Sequence, residues 1–253
     1  MTALPSREPG EHESFVDTDW MEPKTKLEVG NLPRGAVGAT VSGRRISGPM
    51  RGFGQMWRKT YRVRLRGTSA TPSQVIQVWR ENFPLFWPSG NRLFTPAEGM
   101  VPGAVALISS SGPVGTRLHT GIVVAHADEK SFAFATVEGH PFAGLIAFSA
   151  SADEGETVAE VDVKLRASDP IFEVAMRLFG NRKEDEFWRQ ALTSLATHFG
   201  VEAQVTSSVK CLDKKVQWSR VGNISHNAAL GSALYSAGAP LRWARGLATR
   251  SGG

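Results

Sequence analysis

An α+β fold, with a curved antiparallel sheet closed over one long helix, is predicted by three features of the 253-residue chain. A run of about six segments alternates apolar and polar residues, the period of strands with one covered face. A capped amphipathic helix precedes most of that run, and a longer one follows it. Helices placed before and after an antiparallel run, instead of between its strands, favour segregated layers over a parallel α/β sheet.

The elements follow in order. WRKTYRVRLRG sets Trp57, Tyr61, Val63 and Leu65 on one face and Arg58, Arg62, Arg64 and Arg66 on the other, a half-buried strand with a solvated cationic back. In TPSQVIQVWRENF, Thr71 is placed as N-cap, Pro72 at the first helical position and Gln74 as the partner in a capping box. Val75, Ile76, Val78, Trp79 and Phe83 give this helix its apolar stripe, and Pro84 ends it before a short turn through LFWP. GNRLF, PGAVALIS and TRLHTGIVVAHA continue the strand run. In TVAEVDVKLRAS, Ala159, Val161, Val163 and Leu165 point inward, and Glu160, Asp162, Lys164 and Arg166 outward. Asp169 and Pro170 open the last helical region, Gly180-Asn181 should interrupt it, and Gly200 stops it. Its stripe is Phe187, Trp188, Ala191, Leu192, Leu195, Ala196 and Phe199.

FAFATVEGHPFAGLIAFSAS, residues 132–151, carries the functional question. Phe132, Phe134, Thr136 and Glu138 share one strand face, and Phe142, Gly144, Ile146 and Phe148 repeat the pattern after the EGHP break. EGHP reads first as a turn between two strands. His140 and Glu138 are also the candidate catalytic pair, a proton carrier of suitable pKa beside a carboxylate, should the strands face a cavity.

This segment resembles the threonine, Gly-His-Pro, glycine and phenylalanine signature of an uncharacterised family related to the helix-grip superfamily of START and polyketide-cyclase proteins, abbreviated SRPBCC. The matching residues are Thr136, Gly139, His140, Pro141, Gly144 and Phe148, with Leu145 standing where that family commonly has an acidic residue. The resemblance covers roughly 52–205 in element order. It implies a cavity between the sheet of about six or seven strands and the long C-terminal helix, used by relatives for lipids, sterols or polyketides. Phe132, Phe134, Phe142, Ile146, Phe148, Phe179 and Trp188 are its candidate ligand-binding walls, although the same residues serve packed cores.

Charge divides the chain into three. Residues 1–50 carry 6 basic and 7 acidic residues, are rich in Pro, Gly and Glu without apolar period, and are expected to be disordered. Residues 51–205, the expected domain, are balanced at 16 of each, which argues against a nucleic-acid groove. Residues 206–253 hold 7 basic residues against Asp213, a partly helical tail whose Trp218 to Arg250 stretch is a candidate contact with a membrane surface or a protein.

The single Cys211 excludes an intrachain disulfide. His119 and His126 stand on opposite strand faces unless a bulge intervenes, so no metal site is expected, and no nucleotide or cofactor motif occurs. With no apolar run of about 18 residues and no leader pattern, a cytoplasmic location is expected. Three functions stay open: a module binding a hydrophobic small molecule, a cyclase, dehydratase or hydrolase using His140 and Glu138, and an interaction protein recruited by its tail.

Overall fold

Strand β1 (Met56–Leu65) forms no hairpin with the next strand in the chain; it pairs instead with β7 (Glu156–Ala167) on one side and β8 (Val205–Asp213) on the other. Between them run β2 (Asn91–Phe94), β3 (Val105–Ser111), β4 (Arg117–Ala127), β5 (Ser131–Thr136) and β6 (Phe142–Asp153). The curved, wholly antiparallel sheet has the order β2-β3-β4-β5-β6-β7-β1-β8. These relations come from a computed structural model, which describes residues 19–29, 36–96, 98–111 and 117–237, without the side chains of 179–181.

The helices are α1 (Pro72–Glu81), α2 (Pro170–Ala175), α3 (Asn181–His198) and α4 (Ala228–Ala237). Helix α1 begins with the expected capping box: the Thr71 hydroxyl accepts from Gln74 N–H while the Gln74 side chain returns to the Thr71 backbone. A 3-10 turn, Phe83–Phe86, follows it. Asp169 caps α2 by accepting from the N–H groups of Ile171 and Phe172, and a π-turn at Met176–Gly180 divides α2 from α3. Gly200, at φ +72°, ends α3 with a Val201 N–H bond back to Ala196 O.

Helix α3 lays Trp188, Ala191, Leu192, Leu195 and Ala196 against the inner sheet face, where they join Val161, Val163, Leu165 and the phenylalanines in one core. This is the helix-grip arrangement, with eight strands instead of six or seven. The added strand is β8, VTSSVKCLD, which carries the sheet past position 205, where the sequence reading ends the domain. Its mostly exposed Ser, Thr and Lys side chains suit an edge strand and leave no alternating apolar signal.

The outer face is not simply solvated. Residues 19–29 and 36–48 lie across β3, β4 and β5, and Leu27 and Val41 form a second core with Leu107, Val123 and Val137. Part of the segment expected to be disordered is therefore packed; residues 1–18 and 30–35 lie outside the described set. Helix α4 packs on β4 of the same sheet. Asn227 ties it down: its Oδ1 caps α4 through Ala229 and Leu230 N–H, and its Nδ2 donates to the buried Asp169 carboxylate, 2.8 Å away. The tail through 237 is thus built into the fold, while the basic aromatic stretch beyond it lies outside the described residues.

The arginine row of β1 is neutralised in place. Arg58 pairs with Asp162, Arg62 with Glu160 and Arg64 with Asp153. Arg166, expected to be solvated, is instead 2% exposed. Its guanidinium donates to Gly54 O and Lys215 O and pairs with Asp213 at 2.5 Å, because the chain leaving β8 covers this part of the outer face.

Candidate functional site

A cavity of about 390 Å³ opens between the inner sheet face and the N-terminal half of α3. Its floor is made by alternate residues of β3 to β7, among them Ile108, Ile122, Phe134, Ile146 and Val163. Phe187 and Trp188 of α3 and Trp87 after the 3-10 turn form the opposite wall. It is hollow because Ser110, Thr120, Thr136 and Gly144 occupy floor positions where larger side chains would fill the space. Gly144 has a further reason to be small: a Cβ there would lie 2.8 Å from Lys164 O.

Of the predicted wall residues, Phe134, Phe142, Ile146, Phe148 and Trp188 line this cavity. Phe132 does not. It has the expected parity, but Trp79 and Phe83 close over it and its ring stacks on Phe148 at 4.6 Å, leaving it fully buried in packed core. The Phe179 side chain lies outside the described residues.

His140 and Glu138 are not brought together as a catalytic pair. EGHP is a turn: His140 N–H bonds to Val137 O, and Gly139 takes φ +90°. The turn aims its two polar residues to different sides. Glu138 accepts from the Arg45 backbone N–H and pairs with the Arg45 guanidinium at 2.8 Å, on the face covered by the N-terminal segment. Partial burial pushes its pKa up, but the Arg45 N–H and guanidinium more than reverse this and hold it below the usual value. Its strand parity fails as a guide because β5 ends at Thr136, before the turn.

His140 does reach the cavity wall. It is 8% exposed, and its Nδ1 lies 3.0 Å from both the N–H and the carbonyl oxygen of Phe142, so the turn's own backbone engages that ring nitrogen. Burial pushes its pKa down to about 4. At neutral pH it is therefore an uncharged ring tied to the turn backbone, which does not hold the proton a general acid would deliver. The signature threonine is structural too: Thr136 Oγ1 donates to Ser47 O and accepts from Gly144 N–H, stapling β5, β6 and the N-terminal segment.

The sequence reading missed the charged group beside the cavity. Lys59 shares the inward parity of Trp57 and Tyr61 and is 1% exposed; its Nζ lies 2.9 Å from both Glu184 Oε2 and Asp185 Oδ1. Tyr61 donates to the same Asp185 oxygen at 2.6 Å, and burial holds its phenol pKa well above the ordinary value. Glu184 lines the cavity, 8% exposed. Burial raises its carboxyl pKa, opposed chiefly by Lys59. Both residues were legible in principle, Lys59 by strand parity and Glu184 by standing one turn before Trp188 on the apolar stripe.

No group of metal-ligating side chains occurs among the described residues. A bulge in β4 between Val124 and His126 turns His126 to the outer face, where its ring packs on Trp20 and its Nε2 meets Asp128 at 3.1 Å. Among the described residues no helix is long and apolar enough to cross a membrane.

Solved structures similar to this chain include major latex-like protein 151 from Panax ginseng, at 12% identity over 58% of this chain and 99% of that one, with a TM-score of 0.44. Ara h 8.0201 is similar at 10% identity over 57% and 97%, with a TM-score of 0.42. The di-domain ARO/CYC StfQ of the steffimycin biosynthetic pathway is similar at 13% identity over 57% of this chain and 50% of that one, TM-score 0.45. No family model and no curated protein matches the chain.

Proposed function

We propose that this protein is a binding module that encloses a small hydrophobic molecule between its sheet and α3. The observation that carries this reading is the cavity of about 390 Å³, walled mainly by Ile, Leu, Val, Phe and Trp side chains and preformed by small residues on its floor. That volume is within the range of small-molecule sites, and a mostly apolar wall with a few polar groups is their usual chemistry. Binding is favoured over turnover because the proposed proton carriers diverge: Glu138 is held by Arg45 away from the cavity, and His140 is a buried neutral ring. Recruitment through the tail is the less favoured reading, since the segment 205–237 is occupied in completing the sheet and capping its outer side.

Native mass spectrometry of the full chain as purified, followed by denaturing extraction, tests the reading together with titration by the neutral fluorophore N-phenyl-1-naphthylamine. The expected result is a stoichiometric apolar passenger, or saturable one-to-one binding of the fluorophore. A clean protein mass together with no saturable binding would overturn it.

A further inference from the structure

Behind the EGHP turn, apart from the apolar cavity, lies a second, polar pocket of about 210 Å³. One wall is Arg45, Ser47 and Arg51, together with Glu138 of the turn. The other is Arg220, Asn223 and His226, which recur at every third residue of a 3-10 helix, Trp218–His226, and so share one of its faces. Asn223 holds that face in place, its Nδ2 donating to Arg51 O and Ser168 O, both at 2.8 Å.

Three guanidinium groups meet one carboxylate here. Glu138 is engaged by the N–H and guanidinium of Arg45, which leaves the charges of Arg51 and Arg220 without an acceptor among the described residues. Arginines elsewhere on this face are treated differently: Arg58, Arg64 and Arg166 each have a carboxylate partner. Ser47 adds a hydroxyl with no hydrogen-bond partner among the described residues, on a residue only 4% exposed whose backbone is fixed by Thr136 and Gly144. Such a group costs free energy unless something in the pocket meets it.

Two uncompensated guanidinium groups exclude a cation as the occupant. A planar carboxylate is served by a single fork, as Glu138 on Arg45 shows, whereas donors set on separate segments around a pocket suit the diverging oxygens of a tetrahedral anion. We propose that this pocket binds the dianion of a phosphate monoester, whose oxygens accept from Arg51, Arg220 and Ser47. The ligand then bridges the N-terminal segment to the C-terminal 3-10 helix. The neighbouring row of that helix, Trp218, Val221 and Ile224, is apolar and exposed, so a lipid headgroup and a soluble monoester are both sources of this chemistry.

The test follows backbone and arginine side-chain NMR signals of the full chain during titration with methyl phosphate and with acetate at constant ionic strength, beside flotation with phosphatidylcholine vesicles with and without phosphatidic acid. Saturable shifts at Arg51 and Arg220 are expected with methyl phosphate, with binding at least about fivefold weaker for acetate. Affinity should fall about tenfold or more in the double variant Arg51→Gln/Arg220→Gln, which removes no contact within the described protein. Lys210→Gln/Lys214→Gln, which removes two exposed charges outside the pocket, should change it less than about twofold. Binding only to vesicles that contain phosphatidic acid, lost in the arginine variant and kept in the lysine variant, supports the site and names the headgroup as its source. Binding of neither phosphate probe, equal binding of acetate, or equal losses in the two double variants would overturn the proposal.

Discussion

The inner face of one sheet is solid at one end and hollow at the other. Beneath α1, Phe132, Phe148, Trp79 and Phe83 interlock with ring centroids 4.6 to 5.9 Å apart, in the edge-on and stacked contacts that aromatic cores prefer. Toward the N-terminal half of α3, the same strands present Thr136, Gly144 and Thr120, and the space above them is open. Phe148 belongs to both regions, one side of it stacked and the other lining the cavity. The strand pattern is the same in both, and a helix lies above each; what differs is the floor. Phe132 and Phe148 rise to meet Trp79 and Phe83 in the first region, whereas beneath Phe187 and Trp188 of α3 the floor positions are held by Thr120, Thr136 and Gly144. Cavity or core is thus decided by residue size across the gap, not by apolar periodicity.

Phe132→Ala should show the contrast most strongly. Truncating a fully buried ring in the solid half should cost about 3–5 kcal/mol in chemical denaturation. Because Phe132 does not line the cavity, fluorophore affinity under native conditions should stay within about threefold. A large loss of affinity with little loss of stability would show that the two halves are not separate.

His140, at the border of the hollow half, supplies the second effect. Its native pKa of about 4 lies below the ordinary histidine value of about 6.5, so the unfolded chain binds more protons between these limits. Its contribution is present above about pH 6.5 and is lost as pH falls toward 4, on the order of 3 kcal/mol across the window. Glu184 and Asp169, with raised carboxyl pKa values, act in the opposite sense, losing stability as pH rises through their range. The informative quantity is therefore the difference between wild type and His140→Gln measured from pH 4 to 7. A difference that shrinks as pH falls supports the buried neutral ring; a constant one would sink it.

Gly139→Ala is expected to cost somewhat less, more than about 1 kcal/mol, since φ +90° disfavours any side chain. The new Cβ would also fall 2.1 Å from His226 O, beside the Gly139 O to Ala228 N–H bond that holds α4. Faster proteolysis around 226–237 than in the sheet is the expected signature. Uniform protection would mean that the turn yields instead of the C-terminal segment.

How far these regions can be read from sequence follows from the same physics. Alternation located β1 to β7, and local rules located the Thr71 box, the Asp169 cap and the Gly200 stop, because each signal lies within a few consecutive residues. Strand β8 escaped because an edge strand of Ser, Thr and Lys buries too little to alternate. Phe132 was assigned to the cavity because parity names a face and not what covers it. Glu138 was misplaced because parity stops where β5 does, and Arg166 because the chain that buries it is about fifty residues away in sequence. The buried pairing of Lys59 with Glu184 exists only once α3 is set against the sheet.

The smallest stability effect is the sharpest on function. Ile146 lines the cavity on β6, directly opposite Phe134 of β5, and is not fully buried. In a packed core a larger side chain forces its neighbours off their rotamers and costs about 1–3 kcal/mol. Over an open floor the added ring has room, so Ile146→Phe should change stability by less than about 1 kcal/mol while occupying ligand volume. Fluorophore affinity should then fall about tenfold or more, since the lost contacts are those of one well-packed apolar group. The comparison is made with Ala159→Phe, which puts a ring at a fully buried inner-face site away from the cavity and should destabilise in the ordinary overpacking range. If both variants lose equal stability, the space above Ile146 is not open in solution, and the distinction between the solid and the hollow end fails with it.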